Sequence, residues 1–269
     1  MGSFLDPGGL AGLLNPLMLS ISLIMTRLAG LFLSSPLLSA PQIPAQLKAL
    51  LLITLSCMLI GPVGINASLV DLRVFHYAGL ILIEFGIGLF IGLLLTLVFS
   101  GIEFAGRLFG IQMGFAVANV VDPTTSEQIG VLSQIIRFIF LFVFFSMDGH
   151  LFLIKALAVS FKLLPLGGGS FNVELILDDI ILVGSNLFVI AMKIALPISC
   201  SVLLINTGFA ALARTTPQLN IFMVAFMVNI LAGLSVLSLT LPALVSMFHR
   251  IIYDSFELIG TLLHRLGTQ

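Results

Sequence analysis

Few residues in this chain could do chemistry, and they are widely spaced. Three charges, Glu84, Arg137 and Lys193, stand inside long apolar runs. A charge in such a run is costly unless it is paired or faces water. Each therefore marks either an ion pair between helices or subunits, or a proton or ion pathway. Glu103 and Arg107 are spaced i, i+4 with the acid first, which predicts a local ion pair on one helix. Asp148 and His150 are the nearest approach to an acid–base pair. Two residues apart on a helix they would not share a face, so the pair reads as a helix end or turn. His76, His150, His249 and His264 lack a ligand partner at helical spacing, so no metal centre is expected. The phosphate-loop, zinc-protease and nucleophile-elbow motifs are all missing. The expectation is a protein that is not an enzyme and carries no cofactor.

The elements that hold these residues are apolar throughout. Of 269 residues, 59% are hydrophobic and 9% are charged, against about 25% charged in ordinary soluble domains. The mean hydropathy is +1.23. So little charge cannot cover a water-soluble globule, so the chain is read as an integral membrane protein, or as one that lives wholly inside a membrane-associated assembly. A net charge of −1 leaves no footprint for nucleic acid. Trp is absent and Tyr occurs only twice, so the interfacial aromatic belt is missing. That hints at a surface that meets protein as much as lipid. The first basic residue is Arg27, so no secretory signal peptide is expected. Cys57 and Cys200 lie in apolar runs and read as small buried residues.

About six apolar blocks follow one another, several short or broken, which predicts an all-α fold of broken and hairpin-forming hydrophobic helices. Residues 34–44 carry three prolines and read as a connector. The run at 47–60 is short for a span and should end at Gly61-Pro62. Residues 77–100 form the clearest long helix. Gly88 and Gly92 make a G-x-x-x-G pair there, repeated as Gly106/Gly110 and Gly110/Gly114, so close helix packing is expected at Gly88, Gly92 and Gly106. Residues 161–179 read as a connector with an acidic end, and Pro197 and Pro242 interrupt the last two blocks. Basic residues fall in loops of both parities and fix no topology.

Near the middle of the chain, between two apolar blocks, 111–128 is a glycine-flanked, Met- and Phe-bearing segment that runs into Asp122-Pro123 and a polar tail. Gly110 and Gly114 permit backbone freedom. Beside Ile111 and Gln112, Met113 and Phe115 supply soft bulk, and after Val121, Asp122-Pro123 stiffens the exit. Residues alone leave two readings open: a moving element, or an ordinary packed loop between helices.

Several strings in order along the chain resemble the family of the flagellar biosynthetic protein FliR. They are Gln112-Met113-Gly114-Phe115, Val121-Asp122-Pro123, Val131-Leu132-Ser133-Gln134, Asp148-Gly149-His150-Leu151 and the stretch 160–167. Ala195-Leu196-Pro197, Leu212-Ala213-Arg214 and the stretch 217–222 continue the match. The resemblance implies a single domain, 1–269, with an N-terminal part to about 170 and a C-terminal hairpin part from about 171. It also implies a non-enzymatic subunit of the type III export gate, assembled with FliP-like and FliQ-like subunits into a helical, cone-shaped hetero-oligomer. That assembly belongs to the flagellar basal body at the bacterial inner membrane. An FlhB-like protein would sit at the cytoplasmic entrance, and unfolded flagellar substrates would pass through the channel. Residues 110–126, including Gly110 to Phe115 and Val121 to Pro123, would be the plug of the closed pore. The competing reading is an ion-coupled transporter using Glu84 and Lys193, for which broken helices are suited but no inverted repeat is evident.

Overall fold

A computed structural model describes residues 16–41, 43–64, 74–115, 130–167, 173–215 and 221–267. Those residues fold as seven helices with no strand among them. They are α1 (Pro16–Ser34), α2 (Ala45–Val63), α3 (Val74–Gln112), α4 (Val131–Ser146), α5 (Gly149–Leu163), α6 (Val173–Thr215) and α7 (Ile221–Gly267). Five of them are long and apolar enough to cross a membrane, or six if α4 and α5 count as one broken span. Hydroxyls inside these helices return to their own backbone: Thr26 donates to Ser22 O, Thr54 to Leu50 O and Ser201 to Pro197 O. Such back-bonding satisfies a polar group where neither water nor a neighbour does.

Two compact units divide the chain. They do not follow the expected division near residue 170. The first unit takes Met1–Thr96, His150–Ile181 and Ser255–Gln269, and the second takes Leu97–Gly149 and Leu182–Asp254. Each draws on both halves of the sequence, because α3, α6 and α7 are longer than one packed layer and give each unit a segment.

In the first unit α1 lies directly on the first half of α3. A Cβ at Gly88 would strike the carbonyl oxygen of Arg27, one at Gly92 the hydroxyl of Ser34, and one at Gly30 the carbonyl of Phe85. At Gly88 and Gly30 this is backbone against backbone, which only glycine allows. The Thr96 hydroxyl donates to Ser34 O at the same seam. The second unit is centred on aromatic rings. Phe140 meets Phe99 edge-to-face at 4.8 Å and Phe248 at 5.2 Å. Edge-to-face pairs add about 0.5–1.5 kcal/mol beyond their buried area. Gly106 rests on the backbone of Ser133, where a Cβ would come within 2.5 Å of its Cα.

Several local expectations need correction. α2 runs on through Gly61 and Pro62 to Val63, because a proline in the last turn forfeits only one backbone bond. The acidic residues read as a connector end, Asp178 and Asp179, lie in the second turn of α6. Cys57 and Cys200 are exposed on this chain, not buried. An apolar neighbourhood in sequence is not the interior of one chain.

Candidate functional site

The 110–115 stretch is the end of a helix rather than the start of a free loop. Gly110, Ile111 and Gln112 are the last residues of α3. The amide of Phe115 donates to Gly110 O at 3.0 Å, and the amide of Gly114 to Ile111 O at 3.0 Å. With Gly114 at φ +95°, this is a Schellman cap, which consumes the last carbonyls of the helix. Gly114 is therefore a terminator with a left-handed backbone, while Gly110 is an ordinary helical residue in van der Waals contact with Leu132.

Side chains of α7 hold the cap. Met113 is fully buried and sits on Gly233, where a Cβ would overlap its Sδ and Cε. The ring of Phe226 covers Gly114 and would be 2.6 Å from a Cβ there. Phe226 and Gly233 are seven residues apart, so both lie on one face of α7. Ile111 and Gln112 are exposed, and Phe115 is half-buried. Val121, Asp122 and Pro123 lie outside the described residues. The chain re-enters at Gly130. Leu132 and Ser133 then pack against Gly110 and Gly106 of α3. Leu132 and Ser133 of α4 thus lie beside the same turns of α3 that end in the cap.

The charges find partners that spacing did not give. Arg27 and Glu84, both buried, form an ion pair with Nε 2.6 Å from Oε2. The other guanidinium nitrogens donate to Ser160 Oγ at 3.0 Å and Leu164 O at 2.9 Å. The Phe161 ring lies 4.0 Å below the guanidinium carbon. One arginine thus ties α1, α3 and α5 together, with each guanidinium nitrogen bonded and one face on a phenylalanine ring. Spacing along the sequence did not give this pairing. The available signal was the glycine seam: Gly88 contacts the backbone of Arg27, and Glu84 is one turn before Gly88.

Glu103 pairs with Arg137 of α4 at 3.1 Å rather than with Arg107, which points outward. Rotation of α3 decides this. Its Gly106 face is pressed on α4, so Glu103 reaches the neighbouring helix sooner than its own surface. Lys193 is exposed and forms no salt bridge among the described residues. A further pair joins Arg265 and Asp179 at 3.0 Å between α7 and α6. Asp148 sits at φ +56° between α4 and α5, so it and His150 belong to a helix break. Among the described residues no cluster of His, Cys, Asp or Glu could hold a metal ion.

Comparison with known proteins places this architecture. Residues 18–255 match the model of the bacterial export proteins, family 1. The flagellar biosynthetic protein FliR of Escherichia coli (strain K12) is 28% identical over 244 residues, covering 90% of this chain and 92% of that protein. The protein of that name from Bacillus subtilis (strain 168) is 26% identical over 248 residues, covering 91% and 95%. The one from Aquifex aeolicus (strain VF5) is 28% identical over 244 residues, covering 89% and 92%. A family match over nearly the whole chain, on an all-helical fold with membrane-length helices, makes this an integral membrane protein that belongs to the bacterial export protein family 1.

Proposed function

We propose that this chain is a non-enzymatic subunit of the flagellar type III export gate in the bacterial inner membrane. In this reading it forms part of the channel wall, and the segment rooted at Gly110–Phe115 is the closed-state plug for a pore that passes unfolded flagellar substrates. Its partners are FliP-like and FliQ-like subunits in a cone-shaped assembly, with an FlhB-like protein at the entrance. The family match and the names of the relatives support membership of the export apparatus. The observation that carries the plug reading is the root itself. α3 ends in a fixed cap, held by Met113 on Gly233 and Phe226 on Gly114. The chain then returns beside the same turns at Leu132. A stopper needs such an immobile root and apolar, non-interlocking side-chain contacts.

Large apolar side chains on the helix surfaces support a multi-subunit wall. Met58, Leu204 and Leu239 are exposed on α2, α6 and α7, far more apolar surface than a soluble monomer carries. No observation favours the transporter reading, and Glu84 is paired with Arg27.

The test is deletion of residues 116–126, which spares the Gly114 cap. The expected outcome is a complex that still assembles but lets ions through, read as membrane conductance. An assembled deletion complex with background conductance would sink the plug assignment.

A further inference from the structure

One face of α6 within the second unit is packed and the opposite face is bare. Val183, Ala191, Ile194, Ile198 and Val202 are buried. On the other side Leu182, Asn186, Val189, Lys193, Pro197, Cys200 and Leu204 are all exposed. These seven recur at helical spacing and form a single straight ridge. The ridge is apolar except for the amide of Asn186 and the ammonium of Lys193.

Two features of the ridge fall at one point. Lys193 has no counter-charge among the described residues. Four residues later Pro197 stands inside the helix. Lacking an N–H, it cannot give the Lys193 carbonyl its helical hydrogen bond. An exposed cation and a backbone carbonyl without its helical donor thus fall at the same residue, in the middle of an apolar surface. Hydrocarbon would satisfy neither group, and a lysine there is costly. A helix bearing a carboxylate would neutralise the ammonium and cover the apolar residues on either side.

From this we infer that the Leu182–Leu204 ridge of α6 docks an apolar helix of a partner subunit, and that an Asp or Glu of that helix pairs with Lys193. The inference rests on the export-gate reading, since it requires partner subunits. It adds which face they use and the charge they bring. Charge complementarity selects the occupant. A second copy of this chain would set lysine against lysine at an isologous contact, and a purely apolar helix would leave the ammonium buried and unpaired.

Cys200 gives a direct readout. It lies seven residues from Lys193 on the same ridge, about 10 Å along the axis. With Cys57→Ser in the full chain, Cys200 is the one remaining thiol. Its labelling by a maleimide is compared in one detergent, for the chain expressed alone and for the chain purified with its export partners. The expected result is at least tenfold slower labelling in the complex. Lys193→Glu should restore fast labelling, Lys193→Arg should keep protection, and an acid-to-lysine change in the partner helix should rescue Lys193→Glu. Equal labelling of Cys200 alone and in the complex would overturn the docking face and assign it to lipid or detergent. Protection unchanged in Lys193→Glu would overturn the carboxylate. If the wild-type chain purifies with no other subunit, the export-gate reading fails and this inference with it. That outcome is distinct from an intact complex with a bare ridge.

Discussion

The two halves of α3 solve the same packing problem in different ways. Near Gly88 the helix meets α1 backbone to backbone, and the buried Arg27–Glu84 pair lies over the seam. Near Gly110–Gly114 it meets α7 through the flexible ends of side chains, Met113 on Gly233 and Phe226 on Gly114. The first contact cannot relax, since no rotamer moves a carbonyl. The second can be released by rotating a methionine or a phenylalanine. The difference separates a scaffold from a latch within one helix.

The largest expected effect tests the scaffold. Arg27→Ala leaves Glu84 as an uncompensated buried charge and should cost about 3–5 kcal/mol. That is enough to remove most folded chain from the membrane, measured as tag fluorescence or thermal unfolding in detergent. Replacing both residues, Arg27→Met with Glu84→Leu, should recover most of the loss, because no charge is then left alone. If the double variant is as unstable as Arg27→Ala, the arginine's bonds to Ser160 and Leu164 hold the unit rather than the pair.

A smaller effect tests the latch. Gly114→Ala imposes a left-handed backbone on an L residue, worth about 1–2 kcal/mol, and pushes on the Phe226 ring. Gly233→Ala displaces the end of Met113, a flexible side chain. Both variants should accumulate normally, yet raise ion conductance of the assembled complex above wild type. Adding Met113→Ala to Gly233→Ala should relieve the overlap. Normal conductance in both single variants would make the latch mere packing and erase the contrast with the scaffold.

The smallest effect is predicted for Glu103 and Arg137. Their pair is partly exposed, with side chains 24% and 38% accessible, so Arg137→Gln should cost about 0–1 kcal/mol. A double-mutant cycle with Glu103→Gln measures the coupling. The same cycle with Arg107 should give none, and coupling to Arg107 would show that the packed face of α3 does not choose the partner.

The chain class was legible in the residues because composition alone forces it. So little charge points to a membrane-embedded chain, and the long apolar blocks point to helices, whose backbone groups are satisfied within the helix itself. The glycine spacing was also legible, because only close approach gives Gly88 and Gly92 a common purpose. The 110–115 stretch was legible as special but not as a cap. A glycine reads alike as hinge or terminator until the hydrogen bonds of its neighbours are known.

What the tertiary structure alone decided is which distant residues meet. Arg27 and Glu84 are 57 residues apart in sequence and reach 2.6 Å only after α1 docks on the glycine seam of α3. Glu103 leaves the partner that local spacing offers because α4 is nearer than the next turn of its own helix. Helical periodicity fixes which residues share a face. Only packing fixes what that face touches. Lys193 shows both at once: its place on a ridge follows from the period of the helix, and its exposure without a partner follows from the packing of α6.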